Sequence, residues 1–191
     1  MLNGTLKRLL PVLISSAFIL GCDARSEPKS IATRSMHPVP AAWHEGRLPI
    51  LQFRKDDARE RGWILTREGV LVFDFRKRET VGYVPLPQWL WVGEAFACPP
   101  DLAVGPGGEV VVSSNVLPVL WRIDPATLEV SRHELALEDG GRDVGFSTLV
   151  YSGKRGAYFG TSKMDGTRWQ IEGSLHKARK LSDVPRSSCD E

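Results

Sequence analysis

DLAVGPGGEVVVSSNVLPVLWRIDPATLEVSRHELAL, residues 101–137, holds four short apolar or β-branched segments with a turn signal between each pair. The run 102–104 is apolar. Residues 105–108, Gly-Pro-Gly-Gly, then supply a tight turn, because glycine accepts positive φ and proline presets its own. EVVVSS, residues 109–114, is dense in β-branched side chains and predicts a second strand. Residues 115–118 break it. VLWRID, residues 119–124, alternates Val119, Trp121 and Ile123 with Leu120, Arg122 and Asp124, the period of a strand with one buried face. Residues 124–127 turn the chain again, and residues 128–137 predict a fourth strand. No apolar 3.6-residue period runs through this span, so helix is not supported.

The pattern recurs on both sides. Downstream, FSTLVY (146–151), AYFGTS (157–162), TRWQIE (167–172) and residues 175–181 fall in the same order. Trp169 then aligns with Trp121, Ile171 with Ile123 and Glu172 with Asp124. Upstream, residues 49–53, 62–66, 70–75 and 80–86 repeat the order, with Phe73 on Ile123 and Asp74 on Asp124. A four-strand unit repeating at about 40–50 residues is the pattern of propeller blades. The fold class predicted is all-β: three four-stranded antiparallel meanders forming a partial β-propeller. The recurring acids are read as turn acceptors for backbone N–H groups.

The second and third units resemble blades of the quinoprotein, NHL and YVTN-like propeller group, whose third strands often end in aromatic-x-Ile-Asp. The resemblance covers residues 49–184. It implies architecture and carries over no catalytic residue.

Composition agrees with a single globular domain: 42% of the 191 residues are hydrophobic and 25% charged. Lys7 and Arg8 account for the whole net charge of +2; the other 23 basic residues balance the 23 acidic ones. A neutral domain argues against nucleic acid as partner, since that binding rests on phosphate neutralisation. The clusters at 76–78 and 176–180 read as solvated turns.

Lys7 and Arg8 precede an apolar stretch, LLPVLISSAFIL (9–20), too short for a transmembrane helix of about 20 residues. It predicts a secretory signal over 1–21. Ile19-Leu20-Gly21-Cys22 resembles a bacterial lipobox, with Leu20 bulkier than usual there. The resemblance implies that Cys22 is lipidated and that several acyl chains hold the chain on a membrane. Residues 22–40 are polar and contain three prolines. They predict a flexible tether reaching roughly 23 Å. The domain is then expected over 41–191, with Trp43 near its start. The expected location is the bacterial envelope, facing the periplasm; Asp23 after the cysteine hints at inner-membrane retention in some lineages.

In that oxidising compartment Cys98 and Cys189 are a natural disulfide pair, with two free thiols as the alternative. The closed loop of about 90 residues would add about 4–5 kcal/mol in the chain-entropy picture. With no CxxC and with scattered histidines, neither metal nor cofactor is expected.

Three blades do not close a ring. The chain would cap itself, dimerise into six blades, or take an edge from a partner. The loops between second and third strands, and those between units, emerge at one end. Binding residues concentrate on such loops. PQWLWVGEAFACPP (87–100) places Trp89, Trp91 and Phe96 there, as a ligand platform or as a cover for the core. Asn115 lies in a neighbouring loop. EDGGRDVGFS (138–147) offers Asp139, Arg142 and Asp143, without EF-hand spacing. No GxSxG, P-loop or HExxH occurs. The function expected is non-catalytic: a membrane-anchored lipoprotein whose propeller-like domain binds a protein or envelope ligand. The alternative is a lactonase-like or quinoprotein-like enzyme fragment completed by dimerisation.

Overall fold

A computed structural model describes residues 37–93 and 98–186. The predicted leader, Cys22, most of the tether, Phe96 and Cys189 lie outside those residues. Among the described residues, a single turn of helix, α1 (Ala41–His44), precedes thirteen strands. Blade 1 is β1 (Ile50–Asp56), β2 (Arg61–Thr66), β3 (Gly69–Asp74) and β4 (Glu79–Pro85). Blade 2 is β5 (Leu102–Val104), β6 (Val110–Ser113), β7 (Val119–Ile123) and β8 (Val130–Glu134). After β9 (Ala136–Leu137), blade 3 is β10 (Thr148–Ser152), β11 (Ala157–Ser162), β12 (Thr167–Glu172) and β13 (Lys177–Asp183). Each blade is an antiparallel meander in chain order. β1 and β10 both pack on β5, so the three first strands gather along one axis.

The packing explains why the central sequence looks as it does. Val110 and Val112 of β6 face blade 1, in one core with Trp63, Leu65, Val72 and Trp121. Val111 faces the other way, with Leu120, Leu149, Tyr158 and Trp169. A blade buried on both faces needs apolar residues at consecutive positions, hence the unbroken EVVVSS. The same logic buries Leu120, on the side of VLWRID read as solvent-facing.

The expected fourth strand of blade 2, residues 128–137, is two pieces. It breaks at Leu135, whose N–H donates to Pro118 O (2.8 Å). β9 then pairs in parallel with β13, Ala136 with Lys177 and Leu137 with Ala178. Leu135 and Leu137 are thereby buried in the core shared with blade 3, and apolar burial outweighs the continuity of a polar-faced outer strand.

Blade 1's outward face is covered by the chain itself. Leu48, Trp43 and Val39 pack on Ile64, Leu71, Phe73 and Tyr83. Trp43 Nε1 donates to Thr80 Oγ1 (3.0 Å), and His37 exchanges backbone bonds with Tyr83 (3.1 and 3.2 Å). Pairing therefore reaches back to His37, upstream of the residue 41 at which the domain was expected to start. Blade 3's outward face is largely polar: Arg168 and Glu172 of β12 are exposed, and Arg179 Nη2 donates to Gln170 Oε1 (3.0 Å).

One buried carboxylate ties the three blades together. Asp101 accepts Leu102 N–H at Oδ1 (2.7 Å) and Leu149 N–H from blade 3 at Oδ2 (2.8 Å). Arg54 Nη2 of blade 1 reaches both oxygens, at 2.8 and 3.1 Å. Burial pushes the Asp101 pKa up, while Leu149 N–H and Arg54 pull against it.

The recurring acids behave as expected at two of three positions. Asp74 Oδ1 accepts the N–H groups of Arg76 and Lys77 (2.9 and 3.0 Å), and Asp124 Oδ1 those of Ala126 and Thr127 (both 2.8 Å). These bonds hold both carboxyls below the usual range, Lys77 N–H leading at Asp74 and Thr127 N–H at Asp124. Glu172, one methylene longer, accepts the Ser174 hydroxyl instead (3.2 Å).

Candidate functional site

The end carrying the β2–β3, β6–β7 and β11–β12 loops also carries the long connections between blades. Its organising residue is Asn115, 5% exposed. Its Oδ1 accepts Val92 N–H (3.1 Å), and its Nδ2 donates to Val92 O and to Cys98 O (both 2.8 Å). Ser114 Oγ donates to Leu90 O (3.2 Å). Two side chains of the β6–β7 loop thus hold the aromatic connection by its backbone. Asn115 belongs to the site as a positioning residue, with its side chain turned inward.

The aromatics divide by role. Trp89 packs edge-on against Trp121 with centroids 5.0 Å apart, and donates from Nε1 to Arg67 O (3.0 Å). It sits against the core of blades 1 and 2, the covering role that was the alternative to a ligand platform. Trp91 has the Arg67 guanidinium 5.3 Å from its ring centre, and Leu90 beside it is 49% exposed. A cation over an indole face holds both groups in place at a solvent-facing position. Arg67 opens the 67–69 loop and Leu90 lies in the 87–100 loop, which meander topology sends to the same end; what only the fold sets is the guanidinium of Arg67 against Trp91.

The third candidate loop meets the second. Phe146 N–H donates to Ser114 O (2.7 Å), and Ser113 Oγ donates to Phe146 O (2.7 Å). Gly145 lies flat on the β6–β7 loop: a Cβ there would sit 2.0 Å from the carbonyl carbon of Asn115. Only glycine permits that approach. Beyond it, Asp139 Oδ1 accepts Gly141 N–H (3.0 Å) and closes its own turn. Asp143 and Arg142 are exposed. Arg142 lines a cleft of about 340 Å³ with Leu117, Arg132, Glu134 and Leu135. Of these three, Arg142 shares the cleft beside Leu117 of the β6–β7 loop, whereas Asp139 lies within the field of Lys180 on β13. Among the described residues, no group of three or more His, Cys, Asp or Glu side chains is placed to hold a metal ion. No helix among them is long and apolar enough to cross a membrane. At the edge of this end, burial and Glu68 push the Tyr83 phenol up to about 12, and its hydroxyl donates to Glu68 O.

Solved structures resemble this arrangement. Hydrazine synthase of Kuenenia stuttgartiensis aligns with a TM-score of 0.53 at 15% identity, over 72% of this chain and 38% of that one. Catalytically inactive virginiamycin B lyase of Staphylococcus aureus, with quinupristin, aligns at 0.52 and 10% identity, over 73% and 43%. The selenomethionine form of the same lyase gives 0.50 and 9%, over 68% and 40%. The fold is therefore that of a β-propeller-type protein. The chain spans about two fifths of each of these structures, and at such identities the likeness is one of fold. No protein-family profile matches the chain, and no curated protein sequence does.

Proposed function

We propose that this is a lipid-anchored protein of the bacterial envelope, non-catalytic, which binds a protein partner through the loop end of its three blades. The observation that carries the reading is the 87–93 connection. Its backbone is fixed by Asn115 and Ser114, and it presents Trp91, under Arg67, beside an exposed Leu90. A rigid aromatic with an arginine and an aliphatic neighbour has the composition of a protein-binding anchor, and its preorganisation lowers the entropy lost on binding. The leader and the lipobox-like 19–22 support anchoring through Cys22. The buried position of Cys98, 2% exposed behind the same connection, supports its pairing with Cys189. Coverage of blade 1 by residues 37–48 and the polar face of blade 3 support a self-capped stack over a six-bladed dimer.

A photo-crosslinking residue at position 90 in intact cells tests the binding claim. The expected result is one discrete adduct, lost when Arg67 and Trp91 are both replaced by alanine, with the chain still folded. Absence of any adduct at 90 or 91 would refute it. Anchoring is tested by Cys22→Ala, which should abolish palmitate labelling and release the chain from the membrane fraction.

A further inference from the structure

At the opposite end, between blades 1 and 2, three guanidiniums line a cleft of about 650 Å³: Arg59 of the β1–β2 turn, Arg61 at the start of β2, and Arg76 of the β3–β4 turn. None was singled out as a site residue from sequence; Arg76 belongs to a basic run that reads as a solvated turn. Two of them are held across the cleft by backbone carbonyls of blade 2, and the third at its rim. Arg59 donates to Asp56 Oδ2 (3.2 Å) and, through Nη2, to Gly107 O of blade 2. Arg61 Nη1 donates to Pro125 O, also of blade 2. Arg76 uses Nε on Glu60. Each arginine carries five N–H donors in a rigid fork, so these bonds orient each head and leave further donors on it unspent in them.

The carboxylates nearby have partners on the chain, although Asp74 keeps its negative charge in the cleft, within the field of Arg61. Asp56 is buried under Arg59 and also accepts its backbone N–H (3.2 Å). Asp74, the one carboxylate lining the cleft, spends Oδ1 on the turn N–H groups of Arg76 and Lys77. Glu60 pairs with Arg76 at the rim, exposed to solvent, where such a pair contributes little and yields readily to a competing anion. The rest of the lining, Gly107, Pro125 and Ala126, offers backbone and small side chains that leave the space open.

We infer that this cleft is an anion site, and that its ligand is a phosphate group, either free phosphate or the phosphodiester of a lipid headgroup. Two or three forked guanidiniums converging on one open space match the several acceptor oxygens of phosphate, where bidentate arginine bonds are strongest. The site is independent of the proposed loop-end partner, being at the other end of the blades. Because Arg59 and Arg61 cross from blade 1 to blade 2, bound phosphate would also brace that junction.

The full chain, in detergent, is titrated calorimetrically with inorganic phosphate and separately with a soluble short-chain phosphatidylglycerol. Saturable binding of at least one is expected, weakening as salt rises. Affinity should fall about tenfold or more in Arg61→Gln and in Arg76→Gln. It should be unchanged in Arg155→Gln, on the β10–β11 turn of blade 3. Arg76 lies in an exposed turn, so its variant reports on the site even if Arg61→Gln fails to fold. Preference for phosphate marks a soluble ligand, and preference for the lipid marks a headgroup. Absence of binding to both at millimolar concentration, or binding insensitive to Arg76→Gln and Arg61→Gln alike, overturns the inference.

Discussion

Asn115→Ala is the most informative single change. The side chain makes three hydrogen bonds to the backbone of the aromatic connection. Each neutral bond contributes about 1 kcal/mol net, and a buried carbonyl left without a donor costs about 1–3 kcal/mol. Cys98 is buried, so the bond its carbonyl loses is one that water replaces poorly. At the half-exposed Val92, water replaces the lost partner. The sum is about 2–4 kcal/mol. The three bonds hold a connection rather than a strand, so much of the loss should appear as local opening. A tenfold change in population corresponds to about 1.4 kcal/mol, so the open form of 87–93 should rise about thirtyfold or more. Limited proteolysis within that segment reads this directly, with indole fluorescence of Trp89 and Trp91 as a second probe. The crosslink from position 90 should weaken in parallel, although the Asn115 side chain faces inward. Asn115→Asp should be at least as damaging, because it sets a carboxylate oxygen against two carbonyls. Cleavage in Asn115→Ala within about twofold of the native rate, with an unchanged urea midpoint, would refute the reasoning. Intact protection combined with lost binding would instead make Asn115 a direct contact.

Three further outcomes follow from the packing. Asp101→Ala removes the acceptor shared by blades 1, 2 and 3 and leaves the buried Leu149 N–H unpaired. It should cost about 3–5 kcal/mol in urea unfolding, and a loss below about 1 kcal/mol would remove the carboxylate from its role as a tie. Trp121 Nε1 donates to Pro87 O (2.8 Å), whereas Trp63 Nε1 is buried with no hydrogen-bond partner among the described residues. Trp121→Phe should therefore destabilise more than Trp63→Phe, by about 1–3 kcal/mol; equal losses in thermal unfolding would contradict this. His133 stacks edge-on with His176 at 5.7 Å, and burial, then His176 and Arg122, lower its pKa below the ordinary 6.5. The unfolded chain binds that proton more readily, so stability should be full above about pH 6.5 and decline as pH falls through that value. His133→Gln should flatten this part of the urea-midpoint profile, and an unaltered slope would exclude the pair as its source.

What the sequence determined is local. Strand period, turn glycines and the acids at 74 and 124 act within three or four residues, so twelve meander strands and their order were legible from residues 49–184. The Asx-type acceptors were legible for the same reason. The candidate end was legible as well, since meander topology alone decides which loops emerge together. Tertiary structure decided everything that depends on distant partners. Asn115 reads as an exposed loop polar residue until Val92 and Cys98 are placed against it. Trp89 and Trp91, two residues apart, differ in role only because Trp121 lies beneath one and Arg67 beside the other. Residues 135–137 leave blade 2 because the core that accepts their leucines is built from strands more than ten residues downstream. Arg54, Asp101 and Leu149 meet across separations of nearly fifty residues each, and the Arg59–Arg61–Arg76 cleft exists only between two packed blades. Hydrogen-bond donors, charges and apolar faces are written in the sequence; which of them is spent on the protein's own chain is settled by packing.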